Sequence, residues 1–204
     1  MGSELVAIIK VGRKKFTAKV LLESNSLIIR GVERKVIPFE QMHSLLLKSA
    51  ILKFSFKKKT YHIHLGDTAA AWFNKIKNPK SVLDKIGFTS DSKTALFNIS
   101  DTNFTRAVKR KTDGVSIDTS VKNSDIIIVE ANNRLELEKI FGLKKHLRMN
   151  GALWIVFTKG KSAAIKDTEV METGKRFGLV DVKVVGFSET HTALKFVIPV
   201  KDRK

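Results

Sequence analysis

The chain has 204 residues, with 38 Lys or Arg against 20 Asp or Glu, and its formal net charge is +18. That charge favours polyanionic partners such as RNA, DNA or an anionic membrane surface. The absence of cysteine excludes disulfides, thiolate metal sites, iron–sulfur clusters and cysteine nucleophiles. No apolar run reaches the ~18 residues of a membrane span, and Lys10 interrupts the apolar stretch near the amino terminus. We therefore expect no signal peptide and a cytoplasmic location.

Residues 1–80 alternate apolar and polar side chains with the period of two that is typical of β-strands. Lys57-Lys58-Lys59 separates two such runs, which predicts a hairpin with a charged tip. A helix is predicted from Asp67 to Lys77, because Asn78-Pro79 follows and a residue before proline avoids the α region. Seven strands followed by one helix resemble a pleckstrin-homology-like barrel. The predicted N-terminal domain is this small barrel, of class α+β, over residues 1–80.

Residues 81–204 alternate strand and helix patterns, which predicts an α/β domain with a mainly parallel sheet. Helices are predicted over Asp101–Lys111, Leu135–Met149 and Asp167–Phe177, the second ending at Asn150-Gly151. The predicted strands are Thr94–Ile99, Val115–Ile117, Asp125–Glu130, Ala152–Thr158, Val182–Gly186 and Ala193–Val200.

The end of the chain resembles the end of class I S-adenosylmethionine-dependent methyltransferases. Asp181–Pro199 looks like the hairpin that closes this fold, in which the last strand inserts antiparallel into the sheet. The resemblance implies a shortened Rossmann-like domain, because the chain runs directly from Asp118 to Asp125–Glu130 without the helix and strand expected between them. Three stretches also resemble a bacterial family of domains of unknown function: NPKSVLDKIG (78–87), GALWIVFTKG (151–160) and FSETHTALKFVIP (187–199).

The turn that should hold the cofactor departs from the methyltransferase pattern. Residues 98–103 contain no glycine, and side chains keep the backbone further from a ligand. The resemblance places Asp118 where an acid would hold ribose hydroxyls, with Ser100 and Asp101 in the turn that faces the methionine part. No catalytic motif accompanies these residues. The sequence therefore favours a domain without a cofactor, and S-adenosylmethionine bound at Ser100, Asp101 and Asp118 is the alternative.

Fifteen basic residues are candidates for phosphate contacts. Those in the first half lie at predicted strand junctions, and the others lie on predicted helices. They are Arg13, Lys14, Lys15, Arg34, Lys35, Lys57, Lys58, Lys59, Arg106, Lys109, Arg110, Lys111, Lys144, Lys145 and Arg148. The same residues are also compatible with solvated turns and with the ordinary charge preference of helix ends.

The favoured function is a non-enzymatic basic protein that associates with RNA, DNA or a nucleoprotein particle through phosphate contacts. One alternative is an S-adenosylmethionine-dependent methyltransferase with a non-standard cofactor site. Another is binding of anionic lipid by the N-terminal barrel.

A group of polar side chains, Ser188, Thr190 and His191, lies between the last two predicted strands. It could supply a general base or a ligand contact, or it could be a turn held together by hydroxyl groups. His62 and His64 share one face of a predicted strand, but the sequence places no third ligand near them. We therefore predict no metal site.

Overall fold

The computed structural model describes residues 3–160 and 163–203. The chain forms two compact units, Met1–Lys80 and Ser81–Lys204. In the described residues, no helix is long and apolar enough to cross a membrane.

The N-terminal unit is a seven-stranded antiparallel sheet with one helix, α1 (Ala69–Lys77). Its hydrogen-bonded strand order is β4-β3-β2-β1-β7-β6-β5. The strands are β1 (Ser3–Val11), β2 (Lys14–Leu22), β3 (Ser26–Arg30), β4 (Arg34–Pro38), β5 (His43–Lys48), β6 (Ile51–Phe56) and β7 (Lys59–His64).

The inner face of this sheet and α1 share one apolar core. Trp72 and Ile76 of α1 pack into it, together with alternate residues of the strands such as Ile9 and Ile63. Nine helical residues extend only about 14 Å, whereas seven strands spaced ~4.8 Å apart span about 29 Å. The sheet must therefore curl around its own core. The strand order begins at β4 and ends at β5, so the expected pleckstrin-homology-like barrel is not confirmed, and the structure shows a curled sheet instead.

The C-terminal unit is a six-stranded mixed sheet in the order β12-β13-β11-β10-β8-β9. Its strands are β8 (Thr94–Phe97), β9 (Val115–Ile117), β10 (Ser124–Glu130), β11 (Leu147–Thr158), β12 (Val180–Gly186) and β13 (His191–Val197). Its helices are α2 (Val82–Ile86), α3 (Thr102–Lys111), α4 (Leu137–Phe141) and α5 (Asp167–Arg176). Strand β13 is antiparallel to both neighbours, and β8 to β11 are parallel. This is the antiparallel last strand that the resemblance to methyltransferases implied.

The helix predicted over Leu135–Met149 is present as consecutive helical turns over residues 134–146, but its predicted end is wrong. Helical turns end at His146, and Leu147 already begins β11. Gly151, predicted to terminate the helix, lies inside β11, where a Cβ atom would come within 2.8 Å of the carbonyl oxygen of Ser124. The glycine is therefore required by the close approach of β10 to β11, and not by the end of a helix.

Candidate functional site

The carboxyl ends of β8 and β10 mark where a ligand is expected in the C-terminal unit. These two strands are hydrogen-bonded neighbours, but the chain leaves them in opposite directions. From β8 it passes through α3 to β9 on one side, and from β10 through α4 to β11 on the other. In open α/β sheets, ligands bind beyond the carboxyl ends of the strands at such a switch point. The turn 98–101 and Glu130 lie at this position.

Glu130 ends β10 with a carboxylate whose side chain is only 6% exposed. Its Oε2 accepts the backbone N–H of Ser100 at 2.7 Å. The Ser100 hydroxyl donates to the same carboxylate, 2.9 Å from Oε1 and 2.8 Å from Oε2. The end of β10 is therefore tied to the turn after β8 by charge-assisted hydrogen bonds. Glu130 was not among the site residues predicted from the sequence, although a carboxylate that ends an otherwise apolar strand is a signal for such a role.

Asp118 follows β9 beside the same turn. Its Oδ1 accepts the backbone N–H of Asn98 at 3.0 Å. Asn98 has a φ of +54°, so the turn adopts there a left-handed conformation that glycine favours and asparagine tolerates better than most residues. In the described part of the chain, Oδ2 of Asp118 makes no hydrogen bond. That oxygen is available to a ligand hydroxyl.

Asp101 caps α3, because its Oδ1 accepts the backbone N–H of Phe104 at 2.9 Å. A helix N-terminus would otherwise attract an anion, and the Asp101 carboxylate already supplies one. The carboxylates of Asp101, Asp118 and Glu130 thus belong to, or bind, the single turn 98–101. This acidic site, in a chain with a net charge of +18, favours a cationic ligand over a phosphate.

Ser188, Thr190 and His191 lie together at the same edge of the sheet. Nδ1 of His191 is 2.9 Å from the Thr190 hydroxyl and 3.3 Å from the Ser188 hydroxyl. Its Nε2 is 3.8 Å from Oε1 of Glu130, which is too long for a hydrogen bond but close enough for attraction when the imidazole is protonated. Within residues 3–160 and 163–203, no three His, Asp or Glu side chains could hold a metal ion. The structure therefore connects the predicted polar group to the predicted cofactor turn through Glu130.

The basic candidates of the N-terminal unit surround three hairpin turns. Val11 at the end of β1 pairs with Tyr61 near the start of β7, so the β1–β2 and β6–β7 turns lie at the same end of the sheet. Lys19 in the middle of β2 pairs with Arg30 at the end of β3, so the β3–β4 turn points toward the same end but lies beside the middle of β2. The basic candidates at these three turns are Arg13, Lys14, Lys15, Arg34, Lys35, Lys57, Lys58 and Lys59.

The basic candidates of the C-terminal unit are less concentrated. Because the helical turns end at His146 and Arg148 lies in β11, Arg148 shares no helical face with Lys144 and Lys145. Lys144 donates to two backbone carbonyls just after α5, and Nη1 of Arg148 lies 2.6 Å from Oδ1 of Asp125. Helix α3 carries the remaining four, Arg106, Lys109, Arg110 and Lys111.

A cavity of about 360 Å³ lies at the opposite, amino edge of the sheet. The pair Asp125–Arg148 and Lys195 contribute to its lining. Burial, together with the nearby charges of Lys183 and Arg203, lowers the pKa of Lys195. This cavity is separate from the switch point and its three carboxylates.

No family model and no curated protein matches the chain, so its resemblance to a bacterial family of domains of unknown function stays a prediction. Solved structures do match. A fibrillarin pre-rRNA processing protein of Methanococcus jannaschii is 13% identical, covers 93% of this chain and 97% of its own, and has a TM-score of 0.46. An S-adenosylmethionine-dependent O-methyltransferase of Thermotoga maritima is 7% identical, with coverages of 95% and 93% and a TM-score of 0.44. A methyltransferase of calicheamicin biosynthesis, in an S-adenosylhomocysteine-bound form, is 11% identical, with coverages of 58% and 52% and a TM-score of 0.46.

These matches correct the expectation that the C-terminal unit takes no cofactor. One of the matching structures is an S-adenosylmethionine-dependent enzyme, and another holds S-adenosylhomocysteine. All three TM-scores lie below 0.5. The choice of ligand for this chain therefore rests on its own residues.

Proposed function

We propose that the C-terminal unit binds S-adenosylmethionine at the carboxyl edge of its sheet, as a methyltransferase-type domain. The observation that carries the proposal is the group of three carboxylates, Asp101, Asp118 and Glu130, around the turn 98–101. S-adenosylmethionine carries a positive sulfonium and a positive amino group, which such a site attracts. The phosphates of nucleotide and dinucleotide cofactors would be repelled there.

The residues at the site divide the binding between them. Oδ2 of Asp118 accepts a ribose hydroxyl, in the role that an acid after the second strand commonly has. Asp101 and Glu130 supply negative charge beside the methionine part, and Glu130 also holds Ser100 in place. When bound, the cofactor supplies an electrophilic methyl group. His191, whose Nδ1 lies 2.9 Å from the Thr190 hydroxyl, is the group placed to take a proton from a substrate nucleophile.

Calorimetry with S-adenosylmethionine and S-adenosylhomocysteine tests this proposal. We expect the charged S-adenosylmethionine to bind about tenfold more tightly, because only it carries the sulfonium. At 100 times its Kd it should stabilise the fold by ~2.7 kcal/mol, which raises the melting temperature by several degrees. Asp118→Asn should lower the affinity for both ligands.

The matched control is Asp113→Asn, which removes an exposed carboxylate outside the turn and should leave both affinities unchanged. Absence of heat and of a melting shift at millimolar S-adenosylmethionine would overturn the proposal. A preference for a phosphate-bearing cofactor such as NAD would contradict the electrostatic argument.

The second candidate function is association with RNA or DNA through phosphate contacts of the N-terminal unit. It is favoured by three basic hairpin turns that point toward the same end of the sheet, two of them side by side. If several phosphates are neutralised, log affinity should fall linearly with log salt concentration. Replacing Lys57, Lys58 and Lys59 by Gln should weaken binding of a fluorescent oligonucleotide. Sedimentation with anionic vesicles distinguishes a lipid partner for the same turns.

A further inference from the structure

Four basic residues lie side by side across four neighbouring strands of the N-terminal sheet. Lys15 of β2 pairs with Lys10 of β1, and Lys10 pairs with His62 of β7. His62 in turn pairs with Lys53 of β6. We call Lys15, Lys10, His62 and Lys53 the basic row.

The basic row faces away from the core. Ile9, Leu52 and Ile63, each next to a member of the row in sequence, are fully buried in the core. Because side chains alternate across a strand, the row lies on the outer face. Its three lysines are exposed and His62 is half-buried. With ~4.8 Å between strands, the row extends about 14 Å across the sheet.

The positive charge of the row is not neutralised within the protein. In the parts of the chain that the structure describes, no carboxylate forms an ion pair with any of the four side chains. Burial, and then the charges of Lys53, Lys10 and His64, lower the pKa of His62. These groups face His62 from β6, from β1 and from its own strand. Like charges directly opposite in a sheet are destabilising, and a bound anion would relieve that repulsion.

We propose that the basic row binds the phosphate backbone of single-stranded nucleic acid, and that this binding tightens as the pH falls. The proposal rests on the second candidate function and extends it from the hairpin turns to the face of the sheet. Phosphate above the row favours the protonated form of His62, so binding takes up a proton and adds a fourth cation to the contact.

The curl of the sheet favours a flexible polymer over a membrane. The row runs across the strands, which is the direction in which the sheet curls around its core. On the convex outer face, a flat bilayer would meet only part of such a row. A single-stranded nucleic acid can follow the curve, and it carries a negative charge at every nucleotide.

Fluorescence anisotropy with a labelled 20-nucleotide oligo(U) tests the proposal at several salt concentrations. For single strands, the slope of log affinity against log salt is about −0.7 per neutralised phosphate. The wild-type slope should therefore steepen by about 0.7 between pH 7.5 and pH 5.5. His62→Gln should have the same slope at both pH values, whereas the control His43→Gln should keep the wild-type change.

Two double variants with the same net charge as each other test the lysines of the row. Lys10→Gln with Lys53→Gln should flatten the slope by about 1.4, for two lost phosphate contacts. Lys80→Gln with Lys122→Gln removes the same charge elsewhere and should change the slope less. The melting temperature of the first variant should not fall, because the replaced lysines face like charges.

Each failure has a different meaning. Equal slopes for the two double variants, or a wild-type slope that does not change with pH, would overturn the basic row as the site while leaving nucleic-acid binding itself intact. Absence of oligo(U) binding at either pH would overturn the second candidate function as well. If the row bound phosphatidylserine vesicles but not oligo(U), its partner would be a membrane and not a nucleic acid.

Discussion

The carboxylate of Glu130 accepts both the backbone N–H and the hydroxyl of Ser100, 30 residues away in the sequence. This linkage joins the last residue of β10 to the turn that precedes α3. The shape of the candidate cofactor site therefore depends on a buried side chain outside the turn itself.

Glu130→Ala should lower the free energy of unfolding by about 2 kcal/mol, because it removes charge-assisted hydrogen bonds and leaves a cavity. Glu130→Gln should cost less, since its amide oxygen still accepts from Ser100. Urea unfolding followed by tryptophan fluorescence measures both. Glu138→Ala, which breaks an exposed pair with Arg176, should change stability by less than about 0.5 kcal/mol. Equal stability of Glu130→Ala and Glu138→Ala would contradict the structural role.

Two substitutions of Asp101 separate its charge from its capping role. Asp101→Ala should destabilise α3 by about 1 kcal/mol, whereas Asp101→Ser retains an oxygen that can cap the helix. Both variants lose the negative charge. We expect Asp101→Ser to keep the melting temperature of the wild type but to reduce the preference for S-adenosylmethionine over S-adenosylhomocysteine in calorimetry. An unchanged preference would exclude Asp101 from the site.

Gly174→Ala should destabilise the C-terminal unit by about 1–3 kcal/mol. An added Cβ would come within 2.8 Å of Cδ1 of Phe196, closer still to its Cε1, and within 3.2 Å of Phe141. Both rings are fully buried and cannot move away freely. Gly142→Ala is the control, because it meets nothing within 4 Å at a helical φ of −60°, and should be neutral or slightly stabilising. In thermal melting, Gly174→Ala should have a lower melting temperature than the wild type, and Gly142→Ala an equal or slightly higher one.

Replacing Lys57-Lys58 by Asn-Gly should stabilise the N-terminal unit while weakening its binding to polyanions. Both lysines have positive φ, +45° and +60°, as the two central residues of a type I′ turn do. Asn-Gly suits that turn and should add about 1 kcal/mol of stability. Gln-Gln removes the same charge without relieving the turn, so it should weaken binding and leave the melting temperature nearly unchanged. Unaltered retention on heparin by both variants would exclude this turn from the contact.

His62 should make stability depend on pH. Its pKa in the folded protein lies below the ordinary value of 6.5, so the unfolded chain binds its proton first as the pH falls. Stability is therefore highest above pH 6.5 and declines between 6.5 and the folded pKa. Between pH 7.5 and 5.5, the melting temperature of His62→Gln should fall less than that of the wild type. A parallel decline in both proteins would show that His62 is not the titrating group.

Local signals in the sequence predicted several elements of the fold. Helix α3 was predicted because its cap, Asp101, and its basic last turn both lie within one short segment of the sequence. Strand β10 was predicted because its residues are almost all apolar. The end of the helix predicted over Leu135–Met149 was misplaced, because apolar spacings of three and four continue past the point where Leu147 enters the sheet opposite Ser124. Periodicity alone cannot show that change, since it depends on a partner strand.

The candidate site was predicted only in part for a similar reason. Asp118, Ser100 and Asp101 follow strand and helix boundaries that the sequence marks. The link from Glu130 to Ser100 and the approach of His191 to Glu130 depend on strand order. Asn98 also adopts the left-handed conformation that a glycine would otherwise supply, so the turn reaches this conformation without a glycine. Absence of a glycine motif was therefore weaker evidence against a ligand than the sequence suggested.

The position of β13 between β11 and β12 has a consequence for biosynthesis. A ribosome releases strands in chain order, so β11 and β12 emerge before the strand that must lie between them. Until residues 191–197 follow, β11 exposes an unpaired edge and a run of apolar side chains, which is the kind of surface that aggregates or recruits chaperones. In the N-terminal unit, most strands pair with the strand that precedes them, and only β1 must wait for β7. The two units should therefore acquire their folds at different stages of translation, with the candidate cofactor site completed last.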